Sequence, residues 1–117
     1  MTEPMHALPP QGAIAVIFVS LRTDEDRAGY HAAAQAMAAL AARQPGYLGM
    51  DSARDADGLG ITVSYWADEA SALAWRAVAD HAAVRALGRA RWYAHYRVIV
   101  SGVTRAYEWR RGDTPCE

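Results

Sequence analysis

A chain of 117 residues, just over half of them apolar and about a fifth charged, has room for one packed domain and not two. Its 12 basic and 13 acidic residues leave a net charge of -1, which excludes the basic stripe of a nucleic-acid binder and the polybasic patch of a membrane-surface anchor. The lone cysteine, Cys116, cannot close an internal disulfide and has no structured neighbours to activate it, so a reducing, cytoplasmic setting and an inert thiol are expected.

Residues 1–11 carry three prolines and read as a loose arm, with neither the basic start nor the long apolar run of a signal peptide. The longest apolar run, Gly12 to Val19, is too short to span a bilayer. Ala13 to Leu21 reads as a strand, and its consecutive Val16, Ile17, Phe18 and Val19 point to burial on both faces. Thr23 is the expected cap of the first helix, with Asp24, Glu25 and Asp26 favouring the positive end of its dipole. Tyr30, Ala33, Ala34, Met37, Leu40 and Ala41 form the core-facing stripe of that helix, and Gln44-Pro45-Gly46 stops it.

Tyr47 to Arg54 and Ile61 to Trp66 read as two strands joined by a hairpin turn, Asp57-Gly58 being its strongest signal. Asp68 is the expected cap of a second helix carrying Ala70, Leu73, Ala74 and Ala77 inward. Asp80 is expected to cap a further helical segment, from His81 to about Arg91. Tyr96 to Tyr107 reads as a long last strand, with a bulge or bend at Gly102. The expected architecture is α+β, a ferredoxin-like β-α-β-β-α-β domain with an antiparallel sheet over residues 12–110, followed by a tail at 111–117. Two helices cover only one face of four strands, yet both faces of the first strand are apolar. A second copy of the sheet is the simplest cover, so the expected assembly is a homodimer.

Aromatic residues gather in the second half of the chain: Tyr65, Trp66, Trp75, Trp92, Tyr93 and Tyr96. Stacked rings suit a flat apolar ligand, and they equally fill the core of a small alanine-rich protein. Thr62, Ser64 and Trp66 share one strand face that is more polar than the face of Ile61, Val63 and Tyr65, which places Trp66 at a cavity wall and makes its removal cheap for folding. His81 and His95 are candidate bases, and His31 stands on the first helix. Arg85, Arg89, Arg91, Arg97 and Arg105 could hold a carboxylate or phenolate, Arg97 above all because it adjoins Tyr96 in the last strand. No HxxxH, HExxH or Cys/His cluster is present, so no built-in metal is expected; no glycine-rich phosphate loop precedes a helix, and no serine occupies a nucleophile elbow.

Several pieces together resemble the antibiotic biosynthesis monooxygenase family: Pro45-Gly46-Tyr47-Leu48-Gly49, the turn Arg54-Asp55-Ala56-Asp57-Gly58-Leu59-Gly60, the strand end Ser64-Tyr65-Trp66, His81, and Gly88-Arg89-Ala90-Arg91-Trp92-Tyr93. The resemblance spans about Ala13 to Trp109 and implies a ferredoxin-like chain that pairs into a dimeric α/β barrel. It implies a monooxygenase that uses O2 on a polycyclic aromatic without metal or flavin, or, in other members of the fold, haem binding and degradation. On that basis Trp66, His81 and Arg97 are the expected catalytic residues. Tyr30, Trp75, Trp92 and Tyr96 are the expected substrate contacts, no cofactor is expected, and the partners are a second copy and a small aromatic molecule. The asparagine that such oxygenases carry on the first strand has no counterpart between Ala13 and Leu21, where Ser20 is the only polar side chain. That departure keeps open a non-catalytic ligand-binding dimer on the same fold, and His81 keeps open a haem protein.

Overall fold

The computed structural model describes residues 5–86 and 89–113, and of residues 83–86, 89 and 90 the backbone alone. Strand β1 (Ile14–Arg22) leads to helix α1 (Arg27–Ala42), then to the hairpin strands β2 (Tyr47–Arg54) and β3 (Leu59–Trp66). Helix α2 (Glu69–Ala86), a single turn α3 (Arg89–Trp92) and strand β4 (Tyr93–Gly102) complete the chain. The strands form one antiparallel sheet in the order β2-β3-β1-β4, which is the ferredoxin-like arrangement. Among the described residues no helix is long and apolar enough to cross a membrane. Cys116 and the end of the tail lie outside the described residues.

The hairpin turns where Asp57-Gly58 places it: Gly58 takes φ 98°, and the Asp55 carboxylate accepts the backbone N–H groups of Asp57 and Leu59. Gly46 ends the α1 connection at φ 84°, with Ser71 so close that an added Cβ would stand 2.4 Å from its Cβ. The stripe Tyr30, Ala33, Ala34, Met37, Leu40 and Ala41 is the sheet-facing side of α1.

Four local expectations are corrected. Asp26, not Thr23, caps α1: it takes a left-handed conformation at φ 51° and its carboxylate accepts Gly29 N–H at 3.2 Å. Thr23 instead donates its hydroxyl to the Arg91 carbonyl at 2.6 Å, so the acidic run becomes a turn before the helix. Asp80 caps nothing. It lies inside α2, where nothing between Ala77 and Ala82 breaks a helix and Arg76 one turn earlier pairs with it at 3.9 Å. The inward side of α2 is Ala72, Trp75, Val78 and Ala79, because the large Trp75 ring sets the rotation, and Leu73 faces outward. Strand β4 begins at Tyr93 and ends at Gly102; the register shift lies opposite Leu21/Arg22, not at Gly102.

Register assigns the two sheet faces. Ile14, Val16, Phe18 and Ser20 of β1 share the helix side with Trp66, Ser64, Thr62 and Gly60 of β3, with Met50, Ser52 and Arg54 of β2, and with Val100, Val98 and Tyr96 of β4. Trp66 is completely buried there, stacked on Trp75 at 5.6 Å and edge-on to Tyr47, with Ala41 and Ala72 around it. Its indole N–H donates to Ser64 Oγ at 2.9 Å, and Ser52 and Thr62 hydroxyls bond to each other at 2.7 Å. Ser64 is therefore satisfied inside the packing and opens no cavity beside Trp66, while Ser52 and Thr62 pair where the face is exposed.

The opposite face carries Leu21, Val19, Ile17, Leu59, Ile61, Val63 and Ile99 in contiguous register. Of these, Leu21, Leu59, Ile61 and Ile99 are more than two-fifths exposed. A shallow depression at its hairpin end is lined by Ala53, Arg54, Asp55, Leu59 and Ile61. At the other end the arm lies down on it: the His6 ring packs 5.5 Å from Tyr65 over Gly49 and bonds Asp51 at 3.1 Å.

Trp66→Ala is expected to lower the free energy of unfolding by about 3–5 kcal/mol, the cost of emptying a fully buried aromatic site. Ser64→Ala is expected to cost about 1–3 kcal/mol by stranding the indole N–H. Urea unfolding followed by circular dichroism reads both, and a Trp66→Ala cost below about 1 kcal/mol would contradict the packing role.

Candidate functional site

The end of the helix-side face away from Trp66 is built differently. β1 and β4 pair Ser20 with Tyr96 and Leu21 with His95, and then Arg22 with Tyr93, so Ala94 is an extra residue on β4. In an unbroken strand, residues three apart point to opposite faces. The bulge cancels that alternation and brings Tyr93 and Tyr96 together, with ring centroids 5.7 Å apart. Phe18 packs 5.5 Å from Tyr93 and 5.3 Å from Tyr96. From α1, Tyr30 stands edge-on to Tyr93 at 5.9 Å and to Trp92 at 6.0 Å. Helices α1 and α2 lie over β2, β3 and β1, and beside Phe18 the helix-side face of β4 is left open, with Val98 and Val100 each about half exposed. A shallow apolar floor thus runs from this aromatic cluster along β4.

Two arginines enter the cluster from the sheet. Arg54 shares a register row with Gly60, Ser20 and Tyr96. Its guanidinium crosses directly over Gly60, where an added Cβ would stand 2.4 Å from Cζ. From there it donates to Ser20 Oγ at 2.7 Å, to Tyr30 Oη at 3.0 Å and to the Gly58 carbonyl. Arg22 places its guanidinium 3.9 Å from the centre of the Tyr30 ring, which also lies 5.3 Å from that of Arg54. Asp26 closes the α1 side: its carboxylate accepts the Trp92 indole N–H at 3.3 Å and lies 3.7 Å from Arg91. The Trp92 and Gly29 N–H groups hold this carboxyl below the usual carboxylate range.

The expected site residues fall into four places. Trp66 and Trp75 form the stacked core at one end of the sheet, and Tyr30, Trp92 and Tyr96 meet at the other. Arg97 pairs with Val19 on the opposite face and is exposed, because the strand alternation that brings Tyr96 inward turns its neighbour outward. His81 is exposed on α2, and His95 is exposed on the same face as Leu21. Arg105 is exposed beyond β4, and the side chains of Arg85 and Arg89 lie outside the described residues. Among the described residues no group of three or more His, Cys, Asp or Glu side chains could hold a metal ion.

Arg22, Arg54, Ser20 and Phe18 are members of the cluster that the sequence reading passed over. One signal for Arg54 was present: it follows Met50 and Ser52 at period two and so falls on the face of Trp66, an arginine directed inward.

Burial first, and then the charge and hydrogen bond of neighbouring Tyr30, hold the Tyr93 phenol far above its ordinary range. Its native pKa lies above the unfolded value of about 10, so between the two the folded state binds more protons. The stability from keeping this phenol neutral is therefore complete below about pH 10 and is lost as pH rises further. Urea midpoints taken from about pH 9 to 11 are expected to fall, and Tyr93→Phe is expected to flatten the decline. An unchanged slope in that variant would place the alkaline loss elsewhere.

Comparisons with known proteins agree with this architecture. Residues 13–87, more than half of the chain, match the family described as antibiotic biosynthesis monooxygenase. The uncharacterized protein YqjZ of Bacillus subtilis (strain 168) is 43% identical over 105 residues, covering 90% of this chain and 91% of that protein. SnoaB, a cofactor-independent oxygenase from Streptomyces nogalater, superposes with a TM-score of 0.62 at 15% identity, over 87% of this chain and 99% of that one. PA3566 from Pseudomonas aeruginosa superposes with a TM-score of 0.65 at 14% identity, over 80% and 95%. At these identities the two structures speak for the fold alone.

Proposed function

The chain belongs to the antibiotic biosynthesis monooxygenase family, and from that membership we propose that it is a cofactor-independent monooxygenase of a flat, fused-ring aromatic molecule. The observation that carries this reading is the partly exposed group Phe18, Tyr30, Tyr93 and Tyr96 at the head of the open floor along β4. Rings set edge to face at 5–6 Å offer both edges and faces to a planar ligand. SnoaB, itself a cofactor-independent oxygenase, shares the fold on which this reading places the reaction.

The reaction suits a substrate with an activated ring methylene next to a phenol or ketone. Loss of a proton gives an enolate, which transfers an electron to O2. The carbon radical and superoxide combine into a hydroperoxide, which loses water to leave a new carbonyl. One oxygen atom enters the ring, the other leaves as water, and the substrate supplies all four electrons, so no external reductant is required. The protein's part is to hold the anion in apolar surroundings away from bulk water. Trp66 acts at a distance in this reading, as the stack that fixes the sheet under the helices. His81 and Arg97 stand outside the reacting region.

A second reading, a non-catalytic binding dimer, is favoured by one observation: the carboxylate of the cluster, Asp26, is already held by Trp92 and Gly29, and the imidazole beside Tyr30, His31 at 5.9 Å, is exposed on α1. Oxygen labelling separates the two. Metal- and flavin-free protein incubated with a hydroxyanthrone under 18O2 is expected to place one labelled atom in the quinone product. Tyr96→Ala is expected to raise KM up to about tenfold, the value of one lost aromatic contact. Binding of the hydroxyanthrone with no enzyme-dependent label would establish the binding dimer instead.

The proposed assembly is a homodimer that covers the apolar face of Leu21, Leu59, Ile61 and Ile99, in a cytoplasmic protein. Light scattering at micromolar concentration is expected to give twice the chain mass, and Ile61→Glu to give the monomer. A monomeric wild-type protein would defeat the proposal.

A further inference from the structure

The aromatic cluster sets the guanidinium groups of Arg22 and Arg54, with Arg91 at its edge, against one carboxylate, Asp26. Among the described residues, no carboxylate lies within ion-pair distance of Arg22 or Arg54. Asp26 already accepts from Trp92 and Gly29, lies beside Arg91 and acts on Arg22 only through its charge at longer range. Arg54 donates only to neutral oxygens, those of Ser20, Tyr30 and Gly58. Arg22 donates one terminal N–H to the Glu25 carbonyl at 3.0 Å, while its Nε–H is buried and meets no acceptor. An unpaired buried donor on a cation is costly, and two like charges around one tyrosine ring repel each other. Both costs fall when an oxyanion binds between them.

We propose that Arg22 and Arg54 form a binding site for the oxyanion, carboxylate or phenolate, of a flat aromatic ligand whose ring lies on Phe18, Tyr93 and Tyr96. The site rests on the reading of this cluster as the place where the ligand binds, and it adds what that reading lacks: the group that recognises the charged end of the molecule. Charge and shape are both specified. The two cations stand at the Tyr30 end, the open apolar floor of Val98 and Val100 runs away from it, and an anion at one end of a planar apolar body matches that gradient. Arg54 is held by Ser20, which is almost wholly buried, and has its path cleared by Gly60, so its fork is set before any ligand arrives. Tyr93 remains neutral beside the cations and adds an O–H dipole rather than a competing negative charge. In the oxygenase reaction the same pair would favour the enolate over the neutral substrate.

The test is anaerobic binding, which requires no turnover. Calorimetric titration compares 1-naphthoate with its neutral methyl ester on the full chain. The acid is expected to bind at least about tenfold more tightly than the ester, as for a charge-assisted hydrogen bond to a buried partner. Arg54→Gln and Arg22→Gln are expected to abolish that preference while leaving ester binding within about threefold. Gly60→Ala retains both charges but displaces the Arg54 guanidinium, and is expected to act like Arg54→Gln. Should a variant fail to fold, the Arg22 Nε–H resonance of the wild-type protein gives an independent reading: it should shift saturably with 1-naphthoate and not with the ester. Equal affinities for acid and ester, or an unmoved Nε–H signal, would overturn the anion site and leave the oxygenase proposal standing. Arginine-dependent binding of the acid without labelled product from the hydroxyanthrone would leave the anion site standing and remove the oxygenase. Binding of neither compound would overturn the site together with the aromatic reading on which it rests.

Discussion

Two helices cannot cover both faces of a four-stranded sheet, and the rest of the structure follows from where they lie. The stack of Trp66 on Trp75, with Ala41 and Ala72 at its sides, fixes α1 and α2 over β2, β3 and β1. The alanine-rich helices can approach closely because little side-chain bulk intervenes, and the two large rings are packed round by Val16, Met37, Leu40, Met50 and Val78. What they leave uncovered is equally determined: the whole opposite face, and the helix-side face of β4. The first is the face on which the proposed second copy would sit; the second is the surface on which the proposed planar molecule would lie.

The ends of the helix-side face solve the problem of buried polarity in different ways. Beside Trp66 the buried Ser64 hydroxyl is taken by the indole N–H, and further along the strands Ser52 and Thr62 bond to each other at the surface. Such pairs are closed and have nothing to offer a ligand. Around Tyr30 the polar groups are longer and cationic, they reach across three strands, and one donor remains unused. Packing at the first end and recognition at the second are consistent with a general rule. A fully satisfied polar network rigidifies a core, and a buried donor left without a partner calls for an explanation, which the proposed anion would supply.

The element order, the hairpin at Asp57-Gly58, the inward stripe of α1 and the two-faced character of β1 were all legible in the sequence, because each depends on periodicity or on turn chemistry within a few residues. The role of Thr62 and Ser64 was not. Read along the strand they are polar and imply a cavity, but their partners come from Trp66 and Ser52, and only register shows that the hydroxyls are already taken. Arg97 was misplaced for the opposite reason. Adjacency to Tyr96 in sequence means separation across the sheet. Asp80 had the look of a cap because aspartate usually starts helices, and tertiary packing of Trp75 and Val78 carried the helix straight through it.

The aromatic end was the least legible part, since it depends on a feature with no local signature. One extra residue, Ala94, turns Tyr93 onto the face of Tyr96 and Phe18, and no glycine or proline marks the spot. From that bulge the remaining geometry follows step by step. Tyr93 meets Tyr30, Tyr30 receives Arg54, and Arg54 can arrive only because Gly60 offers no side chain in its path. Were Ala94 taken into the ladder as an ordinary strand residue, Tyr93 would return to the face of Leu21 and His95, removing the ring that Tyr30 packs against and leaving both arginines with a less enclosed neighbour. The bulge is therefore a device that assembles residues from β1, β2, α1 and β4 into one place without disturbing the Trp66 stack at the other end of the same sheet.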